Sequence, residues 1–600
     1  MRHAAAGSSI GIAAFACFPY TKGDLLPAVT TCGGYQMQSL EIFTLRHVLD
    51  RSAELFADQP ALSAVGGTPV TYSEFKEQVE TLSGLLIEQG IAPGDRVALL
   101  AENSPNWGIA FFAITTMGAV AVPILPEFHP DAVHHIIRHS ESKAVFVSEK
   151  LFSKVEDGHY DETPVFLLME TFRPVELGTS RDLVREFKAA GLREFRRLKE
   201  KAMRLAQMEP AEVKEDDVAS LIYTSGTTGH SKGVVLLHRN IVFDADAVKS
   251  IVQVGPGDRL LSILPLSHTY ECTLGLVLPV LNGAHIHYMD KPPTARALIP
   301  AMGKVRPTCM LSVPLVIEKI YKSAILPKLT GSFFKRLLYG IAPVRKKLNA
   351  VAGKKLLETF GGKLRIFCIG GASLAPDVEQ FLREAAFPYA IGYGLTETSP
   401  LVAGSGPAHT RFTSTGWPLI GVEVRIDAPD PATGEGEILV KGPNVMREYY
   451  KAPEITKNTF TEDGWFRTGD LGKFDADGYL YIKGRLKNVI VGPSGENIYP
   501  EEIEAVIQQS PYVLETLVYR HEGKLAARIH LDYARLDEEY GSLPAAKMAK
   551  KTDDLLEEIR TAANQQVASF ARLHKVFEQT EPFEKTPTHK IKRYLYVEQQ

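Results

Sequence analysis

Alternation of helical and strand periodicity restricts the fold of this chain more than any other feature of its sequence. From Phe43 to Ser148, helical patterns alternate with short apolar runs such as Arg-Val-Ala-Leu-Leu (96–100) and Ala-Val-Phe-Val-Ser (144–148). Helices and strands in alternation bury their apolar sides as stacked layers, so the pattern predicts a layered α/β sheet. It returns from Leu260 to about Pro400, which predicts a second one. Between Gly416 and Lys483 it gives way to Gly-punctuated strand patterns, such as Gly-Glu-Ile-Leu-Val-Lys-Gly (436–442), that predict hairpins or a small β-barrel. After Arg485 helix and strand mix again, the pattern of a smaller α+β domain. A chain of 600 residues exceeds one ordinary core. The expected divisions are a leader at 1–36, a large N-terminal α/β domain of several subdomains at 37–486, and a C-terminal domain at 487–600.

One stretch competes with that reading. Pro105 to Pro126 carries no charge and is long enough to cross a bilayer. Gly118 and Pro123 interrupt it, so a buried helix at Ile109–Met117 and a strand at Ala119–Ile124 are expected instead. The first 36 residues weakly imitate a secretory signal, yet the regular amphipathic pattern begins only at Met37. Gly33-Gly34-Tyr35-Gln36 can be encoded by a purine-rich ribosome-binding sequence, so translation is expected to start at Met37 and the leader not to be translated.

With 67 Lys and Arg against 71 Asp and Glu, the net charge of −4 argues against a general nucleic-acid binder. Cys17, Cys32, Cys272, Cys309 and Cys368 lack metal-ligand spacing and suit a reducing, cytoplasmic setting. Arg181 to Arg204 reads as a solvated charged helix. His135 and His139 lie four apart on a predicted helix, but with no third ligand they read as an exposed face rather than a metal site.

The strongest chemical signal is Tyr-Thr-Ser-Gly-Thr-Thr-Gly-His-Ser-Lys-Gly (223–233). Gly226 and Gly229 let backbone N–H groups converge, Thr224, Ser225, Thr227 and Thr228 add hydroxyl donors, and Lys232 supplies a cation. Such a loop suits a polyphosphate, although it lacks the Walker spacing. Further strings follow: Gly-Gly-Ala-Ser (370–373), Ile-Gly-Tyr-Gly-Leu-Thr-Glu-Thr-Ser (391–399), Trp-Phe-Arg-Thr-Gly-Asp (465–470), Gly-Arg-Leu-Lys (484–487) and Glu-Lys-Thr-Pro-Thr-His-Lys-Ile-Lys-Arg (584–593). Asp475-Ala-Asp-Gly478 has Leu480 where a calcium loop needs glycine, so it reads as a hairpin turn.

These strings, in this order, resemble the adenylate-forming superfamily of acyl-CoA synthetases, luciferases and peptide-synthetase adenylation domains, from about Phe43 to Tyr594. Ser231 stands where that family usually has proline. The resemblance implies an ATP site walled by Gly371, Ala372 and Ser373, with Tyr393, between Gly392 and Gly394, offering a flat face to adenine. It implies a phosphate contact at Thr396 and a Mg²⁺ ligand at Glu397, one carboxylate sufficing for a hard ion that keeps phosphate oxygens and waters. Asp470, an acceptor-only carboxylate assisted by Arg485, would take the ribose hydroxyls. Lys487 would be the hinge of a mobile C-terminal domain, and Gly495 would lie in a loop closing over the thiol acceptor. Lys590 would reach the substrate carboxylate and α-phosphate, completing a catalytic set with Lys232, Glu397 and Thr396. His589 replaces the usual preceding glycine, which keeps Lys585 and Lys592 as lesser candidates.

Pro265 to Tyr270 holds no aspartate for a substrate ammonium, which disfavours an amino acid. Leu264–Glu271 and Val313–Lys319 look most like bacterial long-chain fatty-acid CoA ligases, with His268 as a gate at the mouth of the acyl pocket. From Lys319 to Lys355 there are ten Lys and Arg and no Asp or Glu, which suits peripheral docking on anionic lipid, capture of coenzyme A phosphates, or a solvated helical hairpin. The expected activity is ATP-dependent conversion of a long-chain fatty acid to acyl-AMP and then to acyl-coenzyme A. Acyl carrier protein is the alternative acceptor. A non-catalytic adenylate or acyl sensor is disfavoured because Lys590, Glu397 and Asp470 are all present.

Overall fold

Helix Pro105–Thr116 starts where the Ser104 hydroxyl accepts from the Trp107 N–H and Pro105 fills the first turn. It stops at Gly118, whose φ of +85° only glycine adopts without strain, and strand Val120–Pro123 follows. Ile109 to Ile114 are wholly shielded from solvent, so the uncharged Pro105–Pro126 run is a core helix followed by a core strand. Among the described residues no helix is long and apolar enough to cross a membrane.

The computed structural model describes residues 40–160, 162, 164–176, 212–224, 232–289, 291, 293–491, 497–541, 543–586 and 591–597. The leader, the charged 181–204 segment, Ser225 to Ser231, Gly495 and Lys590 lie outside them. The chain divides into Met1–Glu41, of which only Leu40 and Glu41 are described, and Ile42–Gln600, which holds everything that follows.

Among the described residues one sheet has nine strands and another eight. In the nine-stranded sheet Arg259–Ser262, Cys309–Ser312, Ile366–Ile369 and Tyr389–Gly394 run parallel, with Cys309 opposite Ile366 and Phe367 opposite Tyr389. Helix Pro376–Glu384 covers one face, packing Phe381 and Leu382 against Phe367 and Ile369. Parallel strands end on the same edge, so the segments after Ser262, Ser312, Ile369 and Gly394 emerge together, where sheets of this kind bind ligands.

In the eight-stranded sheet Val120–Pro123, Arg96–Leu100 and Ser142–Val147 are parallel, and Val218–Thr224 pairs antiparallel with Lys232–Leu237. Thr224 faces Lys232 across that pair. Tyr223, Thr224, Lys232 and Gly233 therefore belong to strands rather than to a loop. Gly233 serves packing, not turning: a Cβ there would come within 2.9 Å of Leu221 Cδ1.

The β-rich stretch realises the hairpin alternative. Glu423–Asp427, Gly436–Lys441, Phe466–Phe474 and Leu480–Arg485 form a four-stranded antiparallel sheet in that order. Its outer strands do not pair with each other among the described residues, so the expected small barrel stays open; four strands are too few to close around a filled interior. In the C-terminal part, Val513–His521, Lys524–Leu531 and Lys575–Glu578 make a three-stranded sheet. Helices Pro500–Ile507 and Ala545–Gln566 contribute Ile503, Ile507, Leu555 and Ile559 to its own core, an α+β arrangement.

Candidate active site

A cleft of about 2360 Å³ opens at the carboxyl edge of the nine-stranded sheet. Thr224 and Lys232 line it together with Gly371, Ala372 and Ser373, Gly392, Tyr393 and Gly394, and Thr396 and Glu397. Asp470, Arg485, Lys487 and His268 complete the set, and of the two lesser candidates Lys592 lines this space while Lys585 is not among its lining residues. Ser225, Gly226, Thr227, Thr228, Gly229, Gly495 and Lys590 lie outside the described residues.

Local structure explains several of these placements. Gly371 has φ +87°, which lets the chain turn sharply after strand Ile366–Ile369. At Gly394 a Cβ would lie 1.7 Å from the Pro400 carbonyl oxygen, so only glycine lets strand Tyr389–Gly394 run against the Leu401–Ser405 strand there. Asp470 and Arg485 are cross-strand partners, with Arg485 Nε 2.7 Å from Asp470 Oδ1, while the Tyr393 hydroxyl donates to Asp470 Oδ2 at 2.7 Å. A buried carboxylate is thus held between a cation and a phenol at the cleft lining. Burial, and then the charge of Asp470, keep the Tyr393 phenol protonated far above its ordinary range.

Tyr449, absent from the sequence-derived set, joins two members of it. Its strand pairs with Lys232–Leu237, Tyr449 opposite Val234, and its ring lies 5.2 Å from Lys232 Nζ. Its hydroxyl donates to Glu397 Oε1 at 2.8 Å. Among the described residues nothing donates to Oε2, and no cluster of three or more metal-ligating side chains occurs. A half-buried carboxylate with one fixed and one accessible oxygen fits a Mg²⁺ whose remaining ligands are phosphate oxygens and waters.

The cleft lining also includes apolar side chains, among them Val248, Ile251, Ile263, Leu274, Leu298 and Val316. His268 also lines the cleft, and its Nδ1 accepts from the Tyr270 N–H at 3.2 Å and caps a short helical turn.

Residues 49–450 match the AMP-binding enzyme family. The chain belongs to that family. Among curated proteins it is 30% identical to the peroxisomal long chain acyl-CoA synthetase 6 of Arabidopsis thaliana, over 80% of this chain and 72% of that protein. It is 29% identical to the long-chain-fatty-acid–CoA ligase heimdall of Drosophila melanogaster, over 78% and 72%, and 30% identical to the long-chain-fatty-acid–CoA ligase FadD15 of Mycobacterium tuberculosis, over 75% of each. Among solved structures, an ATP-bound RpMatB-BxBclM chimera (24% identity, 92% of this chain and 98% of that one) and the anthranilate CoA ligase AuaEII with anthranoyl-AMP (20%, 93% and 98%) both superpose with a TM-score of 0.71 and share the fold.

Two supports of this AMP-binding enzyme's cleft were not legible in its sequence. His139 is half-buried rather than on an exposed face, because its Nδ1 lies 2.7 Å from the Tyr223 hydroxyl and ties the helix Pro130–Ser140 to the strand that leads into the 225–231 segment. The second support is Glu271. Ser262 Oγ donates to its Oε1 at 2.6 Å, and Asn103 donates to Ser262 Oγ and to the Leu264 carbonyl while accepting from the Leu266 N–H, which fixes the segment leading to His268.

Burial raises the Glu271 pKa from 4.5 to about 8. The folded chain therefore keeps a proton that the unfolded chain releases, so this contribution to stability is full below pH 4.5 and is lost as pH rises to about 8. Glu271→Gln keeps the shape without the titration. Relative to the variant, wild type should lose about 3–5 kcal/mol across that window, read from urea midpoints at pH 5 and pH 8. Parallel pH slopes for the two proteins would refute the assignment.

Proposed function

We propose that this chain is a long-chain fatty-acid CoA ligase. The observation that carries the reading is one cleft whose lining includes both a polar set suited to a magnesium nucleotide and a group of apolar side chains, with His268 among the lining residues. The relatives that span most of the chain bear the same activity in their names.

In the first half-reaction the fatty carboxylate attacks the α-phosphorus of ATP, giving acyl-AMP and pyrophosphate. Both reactants are anions, so the protein's work is positioning and charge neutralisation. Lys232, steadied by the Tyr449 ring, faces the leaving phosphates. Glu397 would hold Mg²⁺, which when bound neutralises phosphate charge. Thr396 adds a phosphate contact, Tyr393 and Gly371 to Ser373 flank adenine, and Asp470 with Arg485 receives the ribose. Residues Ser225 to Gly229 cradle the triphosphate, and Lys590 meets the reacting carboxylate. His268 gates the acyl pocket, and the apolar part of the cleft lining takes the acyl chain.

In the second half-reaction the thiol of coenzyme A attacks the acyl carbonyl of the anhydride and AMP departs. Residues 37–486 would form the adenylating domain and 487–600 the domain that turns about Lys487, bringing the Gly495 loop over the thiol. Its flanks are pinned in this conformation by Lys483 to Glu502 at 2.9 Å and Asn488 to Glu501 at 2.6 Å. A cytoplasmic site of action with peripheral membrane contact accords with this substrate.

ATP–pyrophosphate exchange measured across acids from acetate to stearate tests the reading, followed by thioester formation with coenzyme A or acyl carrier protein. Exchange should be strongest with long-chain acids and transfer should require coenzyme A. Exchange confined to short or amino acids, or transfer only to the carrier protein, would overturn it.

A further inference from the structure

The segment from Lys319 to Lys355, with ten cations and no acid, folds into helices Leu326–Thr330 and Phe333–Tyr339 and the start of Ala342–Thr359. Its base is anchored. Arg345 and Asn349 both bind the Glu384 carboxylate, Tyr321 packs on Phe381, and the Tyr339 hydroxyl donates to Asn349 at 3.0 Å. Its tip is exposed. Helix Phe333–Tyr339 buries none of its residues, and Phe333 is 76% exposed, Phe334 75%, Leu337 61% and Leu338 49%.

Single exposed leucines are ordinary, but four large apolar side chains in six consecutive positions, with Ile341 48% exposed just beyond, make a patch that a lone soluble chain has no reason to keep. Exposed cations border it on both sides, Lys335 and Arg336 within the helix and Lys346 and Lys347 after it. Arg345 is already committed to Glu384, and Lys322 to the Gln508 carbonyl at 2.7 Å, so neither is available to the patch.

We propose that this helical tip is a docking face for an anionic phospholipid surface, with Phe333, Phe334, Leu337 and Leu338 entering the boundary between headgroups and acyl chains. Charge decides the occupant: a wedge of apolar side chains ringed by cations of one sign, with no acid in the whole segment, complements anionic headgroups. Position fits a role in loading. The segment grows directly from helix Pro314–Ile320, whose Leu315 and Val316 line the cleft, so the docking segment and the wall of the site are continuous along the chain. The role in loading rests on the fatty-acid reading above; the docking itself does not.

Cosedimentation of the full chain with vesicles of phosphatidylcholine, and of phosphatidylcholine mixed with phosphatidylglycerol, tests the docking. Wild type should favour the anionic vesicles and release with salt. Phe333→Ser with Phe334→Ser and Leu337→Ser should weaken partitioning on the order of tenfold or more, as should Lys335→Glu with Arg336→Glu. These side chains are exposed, so thermal midpoints should not move. Ligase rates with oleate delivered from albumin should stay at wild-type values, whereas rates with oleate held in anionic vesicles should fall.

Equal wild-type binding to both vesicle types, or unchanged binding by either variant, would overturn the proposal. So would a wild-type dimer that the apolar variant converts to monomer without change in vesicle binding, since the tip would then cover a second copy of this chain. A chain that partitions as expected but activates no fatty acid would refute the function and leave the docking standing.

Discussion

Replacing Lys590 by alanine should slow acyl-adenylate formation by on the order of a hundredfold or more and spare thioester formation from supplied acyl-adenylate. The carboxylate and the triphosphate repel each other, and a cation fixed at the point of attack stabilises the charge that accumulates only in the transition state. The neighbours of Lys590 support its assignment. Thr586 and Ile591 to Tyr594 line the cleft, and Lys585 and Ile591 form an isolated antiparallel bridge.

The two lesser candidates are otherwise engaged: Lys585 pairs with Glu515, and Lys592 lies 3.3 Å from Glu584. Arg593 pairs with buried Glu504 and donates to the Val518 carbonyl at 3.2 Å, which ties the turn at Arg593–Leu595 to strand Val513–His521. Lys585→Ala should therefore cost adenylation much less than Lys590→Ala. Single-turnover formation of acyl-AMP, measured beside transfer from synthetic acyl-AMP, separates the half-reactions. Equal losses in both for Lys590→Ala would show that another group does this work.

Glu397→Gln should lower adenylation by on the order of a hundredfold at limiting Mg²⁺, with partial recovery as the ion is raised. The substitution is chosen for what it keeps. A glutamine carbonyl still accepts from the Tyr449 hydroxyl, so the contact that joins strand Glu448–Tyr449 to the turn at Thr396–Thr398 survives, and only the charge is lost. Tyr449→Phe makes the opposite change, retaining the ring near Lys232 and removing the hydroxyl, and should cost less than about tenfold. Pyrophosphate release titrated with Mg²⁺ distinguishes them. A Glu397→Gln enzyme with wild-type Mg²⁺ dependence would remove Glu397 from the metal site.

The sequence by itself determined whatever is local. Alternating periodicity was enough for layered α/β sheets, because burial of one helix face or one strand is written in a dozen consecutive letters. Cleft residues such as Tyr393, Glu397 and Asp470 were legible because each sits in a contiguous string that resembles a motif of the adenylate-forming superfamily. The Pro105–Pro126 run was readable for the same reason, its Gly118 and Pro123 marking where one element ends and the next begins.

Only the tertiary structure decided which residues meet. Tyr449 reaches Lys232 and Glu397 through a strand pairing with Val234, and nothing near position 449 announces a partner more than 200 residues away. His139 looked like a surface residue because helical spacing gives a face but not what covers it, and Tyr223 covers this one. The open four-stranded sheet was ambiguous with a barrel because strand patterns carry no closure rule. At 319–355 the letters contained the charges and the apolar side chains alike. Whether Phe333 and Phe334 would turn inward or stand in solvent depended on whether the rest of the chain offered them a surface, and in the fold it does not.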